Sequence, residues 1–482
     1  MRTLNFFAVA ALCATTAWGA GFQAGYSRAD VTPPRGSFMP GYFIYREVKG
    51  VLDPCEVACV ALSDGERKAL VMQIDVTSVC NEYAEMMREA ITRATGVPRE
   101  AIYLHASHTH VSGPLRVVSR RKDCSDETNE RILRLAGLYR DQVITRVADV
   151  AAEAIEDLKP ASLSYGKTFA RRISFTRRYL MKDGKVRTNP GVKNPDIVKA
   201  VGNPPDEEEQ ILRIDREGAD PICVINFQTH PDVIGGEKVS ADWPGITRRV
   251  FEAATFGKSR CIVLNGTQGD LNHVNVLPRP GEENGLHRDF DDVDRGYDHA
   301  VHMANVLVGG ALSVWMKCIP LEAGEIRFAE EKVVVPSQRP SSAAELELAK
   351  KYMDLHNTGH DDEIPFKGME LTTALARARR IVRMSKGPKD FNIPLTGIAI
   401  GKSVAFCGFS GEPFNDIGKA VKGASPFVLT MPTCNTNGSN GYFPFSDSYK
   451  EGGYEAEGSN YAPSVADDLI AGANGLLKKL HE

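Results

Sequence analysis

Four apolar stretches of this chain stop in the same manner, on small and polar residues that include a metal-ligating or acidic side chain. "AIYLHASHTH" (101–110) ends in His108 and His110, and "CVINFQTH" (223–230) ends in His230. "CIVLNGTQGDLNH" (261–273) ends in Asp270, Asn272 and His273, and "SVAFCGFSGE" (403–412) ends in Glu412. Short apolar runs of this kind read as buried strands, which must lie side by side because their backbone groups need partners. Their polar ends then collect at one sheet edge, where an α/β protein assembles a site from several strands. A fifth segment, "NTNGSNGYFPFSDSYKEGGYEAEG" (435–458), supplies a Gly/Asn/Ser loop with Tyr442, Tyr449 and Tyr454.

The intervening sequence fixes the class. Residues 56–76 alternate apolar and polar side chains on either side of "SDGE", the pattern of a β-hairpin. A helix is predicted from about Asn81 to Ala94, and a long amphipathic one over Glu127–Leu158. Others are predicted near 297–315, 342–356 and 370–384. Further strands are predicted at "ASLSYG", "QILRID", "EIRFAEEKVVVP", "LTGIAIGKSVAFCGF" and "FVLTM". Strands and helices mix without strict βαβ alternation, so the expectation is a mixed α/β (α+β) unit of layered mixed sheets with flanking helices. A barrel of eight regular βα units does not fit. Two polar stretches, 177–208 and 277–296, lack periodicity and are expected to be loops at the rim of a site.

Charge narrows the partner. Fifty-eight basic and sixty-two acidic residues give a formal net charge of −4, no footprint for nucleic acid or an anionic membrane. A small-molecule, lipid or glycan partner is expected. The first twenty residues, "MRTLNFFAVAALCATTAWGA", read as a secretory signal, and no later stretch has the roughly 18 apolar residues of a membrane span. The protein is therefore expected to be exported, periplasmic or secreted. Nine cysteines follow that segment; Cys59, Cys223, Cys261 and Cys407 lie in apolar strands, and one disulfide among Cys55, Cys80, Cys124, Cys318 and Cys434 is conceivable.

Neutral imidazole is a good zinc ligand. In an extended segment side chains two apart share a face, so His108 and His110 are expected to look into one pocket and His105 away from it. Each feature has a plainer reading: a strand-end histidine is commonly surface, a glutamate after glycine commonly begins a helix, and a tyrosine cluster commonly packs or stacks on sugar.

Taken together and in order, the segments resemble the catalytic domain of the neutral, non-lysosomal ceramidases, a family of zinc amidases. "YSRADVTPPRGSFMPGY" is similar to the family's N-terminal Asp-Ile/Val-Thr-x-Pro … Gly-Tyr segment, and "SHTHVSGP" to its Thr-His-Thr-His-Ser-Gly-Pro motif. "NFQTHPDVIGGEKVSADWPG" is similar to its His-Gly-Thr … Ser-Gly-Asp-x-x-Gly segment, "GTQGDLN" to its Gly-Asp/Asn-Leu/Val-Ser segment, and "SGEPF" to its Pro-Gly-Glu-Phe. The spacing of the three tyrosines, with Glu455 after the third, also fits.

The resemblance implies a zinc hydrolase domain over 21–482, with zinc held by His108, His230, Glu412 and Tyr442. It also places His110, Arg177 and Tyr454 around the reacting carbonyl. His110 would carry the proton, and Tyr454 and Arg177 would face the oxyanion, though "FTRRY" offers Arg178 equally well. Asp242 and Asp270 are expected to close turns or orient ligands. The implied reaction is cleavage of an amide in an N-acyl sphingoid or related N-acyl substrate by metal-activated water. Asn272 stands where the family has a serine and is expected to hydrogen-bond the substrate in its place, and, with only about 28 residues after Tyr454, the family's immunoglobulin-like C-terminal domain is not expected. The rival readings are a zinc hydrolase acting on a polar or glycan-linked acyl substrate, and a non-catalytic zinc-containing binding protein.

Overall fold

The computed structural model describes residues 21–42, 44–121, 124–280 and 296–482; the segment expected to be a secretory signal and most of the 277–296 stretch lie outside them. Two mixed sheets carry the molecule. In the larger, strands run in the spatial order Arg260–Asn265, Ala219–Phe227, Glu208–Arg216, Lys159–Phe169, Gln23–Asp30, Glu56–Ser63, Lys68–Ile74 and Ile102–Ala106. The two outermost strands are parallel to their neighbours and the rest are antiparallel. The second sheet orders Ile326–Pro336, Asp390–Ile400, Val404–Phe409 and Leu429–Thr433. The predicted hairpin, strands and helices all form, and the antiparallel pairing excludes the eight-fold βα barrel.

Helix Asp126–Glu156 illustrates the local logic. Ser125 caps it, its Oγ accepting the Thr128 N–H at 3.2 Å. Ile132, Ala136, Tyr139, Val143, Val147, Val150 and Ala154 then recur every three or four residues and are buried. That stripe lies on strands Gln23–Asp30 and Glu56–Ser63. The helix comes so close that a Cβ on Gly25 would stand 1.9 Å from the Ala154 carbonyl oxygen. Gly25→Ala should therefore force strand and helix apart, at a cost of about 1–3 kcal/mol. A thermal melt checks this, and an unchanged midpoint would show that the helix yields freely.

The two ends of the large sheet meet. The Gln73 amide oxygen accepts from the Val263 N–H at 3.1 Å, and His105 Nε2 accepts from the Asn265 N–H at 3.0 Å. Because Nε2 accepts, the His105 proton is on Nδ1, 2.9 Å from the Cys434 carbonyl of the second sheet's last loop. His105 thus ties three strand ends together, and burial holds its pKa down at about 4. It faces away from the other histidines, as the sequence predicted.

Two expectations change. Residues 177–208 form a three-stranded sheet of Arg178–Met181, Val186–Thr188 and Ile197–Ala200, not a loop. These strands of three or four residues are too short to show periodicity. All nine described cysteines are free thiols, so none of the conceivable disulfides forms.

Candidate active site

His108 is not in an extended segment. Its φ is +76°, a left-handed conformation uncommon for a side-chain-bearing residue, and its N–H is held by the Val76 carbonyl at 2.9 Å. A turn, not strand alternation, brings His108 and His110 to the same place. His108 Nδ1 lies 2.6 Å from the Thr77 carbonyl oxygen, which can only accept, so the neutral ring carries its proton there and offers the Nε2 lone pair. His230 is oriented likewise, its Nδ1 3.3 Å from the Gln268 carbonyl.

The two lone pairs face each other at 3.1 Å. Glu412 Oε2 completes the triangle, 3.3 Å from His108 Nε2 and 3.5 Å from His230 Nε2. Three lone-pair donors at such distances repel, and one proton relieves only part of that. A cation at the centre relieves it all. Ligands 2.0–2.1 Å from a tetrahedral zinc stand about 3.3–3.4 Å from one another, so the triangle fits the ion. The buried cluster of His108, His110 and His230 is compatible with a bound metal.

The Glu412 backbone is set by glycine on both sides. Its N–H donates to the Gly441 carbonyl at 2.8 Å, in register with Tyr442, and a Cβ on Gly269 would stand 2.5 Å from the Glu412 carbonyl oxygen. Burial alone would raise the Glu412 pKa, but His108 and then Arg177 outweigh it and hold it at about 2. The His108 pKa is raised, Glu412 outweighing the burial. Burial, then Arg177 and the neighbouring rings, push His230 well down.

His110 meets the triangle through His108, Nε2 to Nε2 at 3.3 Å, and turns Nδ1 toward Asp232 at 3.5 Å, a charge contact and not an aligned hydrogen bond. Burial, only partly offset by Asp232, lowers its pKa to about 3. Asp232 in turn receives the Tyr42 hydroxyl, and the Arg46 guanidinium lies 3.9 Å over the Tyr42 ring while donating to the His110 carbonyl at 2.7 Å. Sequence reasoning missed Asp232, Tyr42 and Arg46. The signal was there for Asp232, two residues after His230 and where the resembling motif has threonine.

The two arginines of "FTRRY" part ways at the break between the strands Phe175–Thr176 and Arg178–Met181. Arg178 donates to Ser448 Oγ at 2.8 Å and pairs with Glu451 at 3.0 Å, fastening the 446–452 turn. Arg177 turns inward, 5 % exposed, its Nη2 2.6 Å from the Gly269 carbonyl and its guanidinium 5.4 Å over the Tyr442 ring. Its Nε stands 2.6 Å from Glu455, a residue with no exposure that sequence reasoning noted only as part of the tyrosine pattern.

Tyr442 and Tyr454 meet edge to face at 5.6 Å. Burial and then Glu412 raise both hydroxyls, Tyr442 well above its ordinary value and Tyr454 to about 12, so both are donors at neutral pH. Tyr449 instead packs in the second sheet's core, its hydroxyl on Ser459. The Asn272 amide donates to Asn189 at 2.7 Å and accepts the Val274 N–H at 3.0 Å, one strand away from Arg177. Asp242 holds the Val233 and Ile234 N–H groups and Asp270 that of Asn415, closing turns as expected.

No family model and no curated protein matches the sequence. Solved structures do. The crystal structure of neutral ceramidase from Pseudomonas aeruginosa superposes with a TM-score of 0.68 at 15 % identity, covering 96 % of this chain and 75 % of that one. A structure described as ceramidase complexed with C2 gives 0.68 at 16 % identity, covering 96 % and 76 %. At that identity the likeness establishes a shared fold.

Proposed function

We propose that this chain is a divergent member of the neutral ceramidase family, an exported zinc-dependent hydrolase that cleaves an amide bond in an N-acyl substrate. The observation that carries the reading is the triangle of His108 Nε2, His230 Nε2 and Glu412 Oε2, lone pairs that need a cation, set beside Arg177 and two protonated tyrosines. The shared fold and the order of the sequence motifs support it. Glu412 and the two histidines would hold zinc, with Tyr442 beside Glu412 as the fourth ligand. Zinc in such a site supplies positive charge that polarises a carbonyl and acidifies water.

The chain's own residues do the rest. His110 is neutral at pH 7, with Nδ1 turned to Asp232 and Nε2 toward the triangle, so it can take a proton from the attacking water and return it to the leaving nitrogen. Tyr454 and Arg177 present a hydroxyl donor and a fixed positive charge to the oxygen on which negative charge develops. The Asn272 amide is engaged by Asn189, just past the strand Val186–Thr188, and hydrolysis by activated water needs no serine hydroxyl at that place.

The purified protein, with and without zinc, should be assayed on ceramides, N-acyl amino acids and N-acetyl sugars. Zinc-dependent release of amine from one class is the expected result. His110→Ala should keep its zinc and lose about 10²-fold or more in turnover. Full activity in that variant would remove His110 from the chemistry, and no amide hydrolysis across the panel would favour a binding protein.

A further inference from the structure

A cavity of about 1170 Å³ lies between the three-stranded sheet, helices Ala343–Thr358 and Gly368–Met384, and the Tyr449–Gly453 turn. Small-molecule sites run to roughly 300–1,000 Å³, so the space is ample for a ligand. None of His108, His230 and Glu412 lines it, which sets it apart from the metal triangle. Its floor is apolar: Met181 and Val186 of the sheet and Ala349, Ala378 and Ile381 of the helices are buried there. Leu348 and Phe366, large apolar side chains 50 % and 38 % exposed, line it as well. An apolar chain laid against them would displace water from both.

The charges around this floor do not cancel one another. All six acidic side chains of the lining are paired: Asp183 and Glu370 with Arg187, Asp196 with Lys182, Glu345 and Glu457 with Arg377, and Glu451 with Arg178. Lys185, Lys367 and Lys450 also line the cavity, and none of their ammonium groups lies within ion-pairing distance of a carboxylate among the described residues. The cavity therefore joins an apolar floor to three cations that lack a partner.

Three of its lining residues also hold the candidate active site. Thr188 Oγ accepts the Tyr454 N–H at 3.1 Å and donates to Glu455, the partner of Arg177, at 2.9 Å. Asn189 accepts from the Asn272 amide at 2.7 Å and donates its N–H to the Arg177 carbonyl at 2.8 Å. The Tyr449 hydroxyl reaches Ser459 Oγ at 3.0 Å, which donates to the Tyr442 carbonyl at 3.1 Å.

We infer that the cavity is a second ligand site, taking a single-chain amphiphile with an anionic head: the chain lies on the apolar floor and the head is drawn to the unpaired lysines. A ligand there touches the residues that set Tyr442, Tyr454 and Arg177. Binding does not depend on the amide-hydrolase reading; under that reading the acyl product of hydrolysis is one such amphiphile.

Calorimetric titration of the full-length zinc-loaded protein with dodecanoate, dodecyl phosphate and uncharged dodecanol tests it. One of the two anions should bind at a single site, about tenfold or more tighter than the alcohol, and the tighter one identifies the head. The variant Lys185→Gln/Lys367→Gln/Lys450→Gln, changed only at exposed side chains, should lose about tenfold in affinity for that anion. Ala374→Trp, which fills the cavity from the half-buried face of its helix, should abolish binding. His108→Ala should bind the anion as wild type does, because the head is not on the metal. Hydrogen exchange places the ligand: residues 186–190 and 449–455 should exchange more slowly when it is bound, and the histidine turn should not. No binding of either anion, equal binding of the alcohol, an unchanged affinity in the triple variant, or loss of binding in His108→Ala would overturn the assignment.

Discussion

Alanine at His108, His230 or Glu412 is expected to empty the site of zinc and abolish hydrolysis. Each variant removes one corner of a triangle whose sides are 3.1, 3.3 and 3.5 Å, and a dication loses a large part of its coordination energy with any one corner. The metal-free protein responds differently at each corner. There Glu412 raises the His108 pKa and His108 lowers that of Glu412, a mutual attraction, so His108→Ala and Glu412→Ala should each lower the melting temperature of the chelated protein, and His230→Ala, which removes a ring held neutral, should lower it least. Zinc should then raise the wild-type melting temperature, since a ligand that binds only the folded state stabilises it, and should leave the variants where they were. Elemental analysis and paired melts with zinc and with chelator check both halves. Full zinc content in all three variants would sink the assignment.

Where sequence logic held, it rested on constraints acting within a few residues. The apolar strands, their polar ends and the helices announced themselves because burial imposes periodicity, and His108, His230 and Glu412 converge as strand-end placement required. It failed where the determinant is tertiary. Nothing local says that His108 adopts a φ of +76°, because the Val76 and Thr77 carbonyls that hold it belong to a neighbouring strand's end. The choice between Arg177 and Arg178 was open for the same reason: only Glu455 and Ser448, some 270 residues on, say which faces inward. The short strands between 178 and 200 carry too few residues for a pattern.

Arg177 is where stability and chemistry meet, and they can be separated. Glu455 has no exposure, and beside Arg177 it has the Thr188 hydroxyl at 2.9 Å. Arg177→Met therefore leaves a buried carboxylate without its cation, which should destabilise the protein by about 3–5 kcal/mol. It also removes the charge aimed at the developing oxyanion, a loss of about 10²–10³-fold in kcat. A fall in activity alone could come from either cause. The double variant Arg177→Met/Glu455→Leu divides them: replacing both partners of a buried ion pair with apolar groups is often neutral, so most of the lost stability should return. The loss in kcat should remain, because nothing restores the positive charge beside Tyr442 and Glu412. Metal content serves as the control, since Arg177 holds none of the three corners and zinc should stay bound in both variants. If kcat recovers along with the melting temperature, Arg177 acts only as the partner of Glu455, and Tyr454 is the donor left to face the oxyanion.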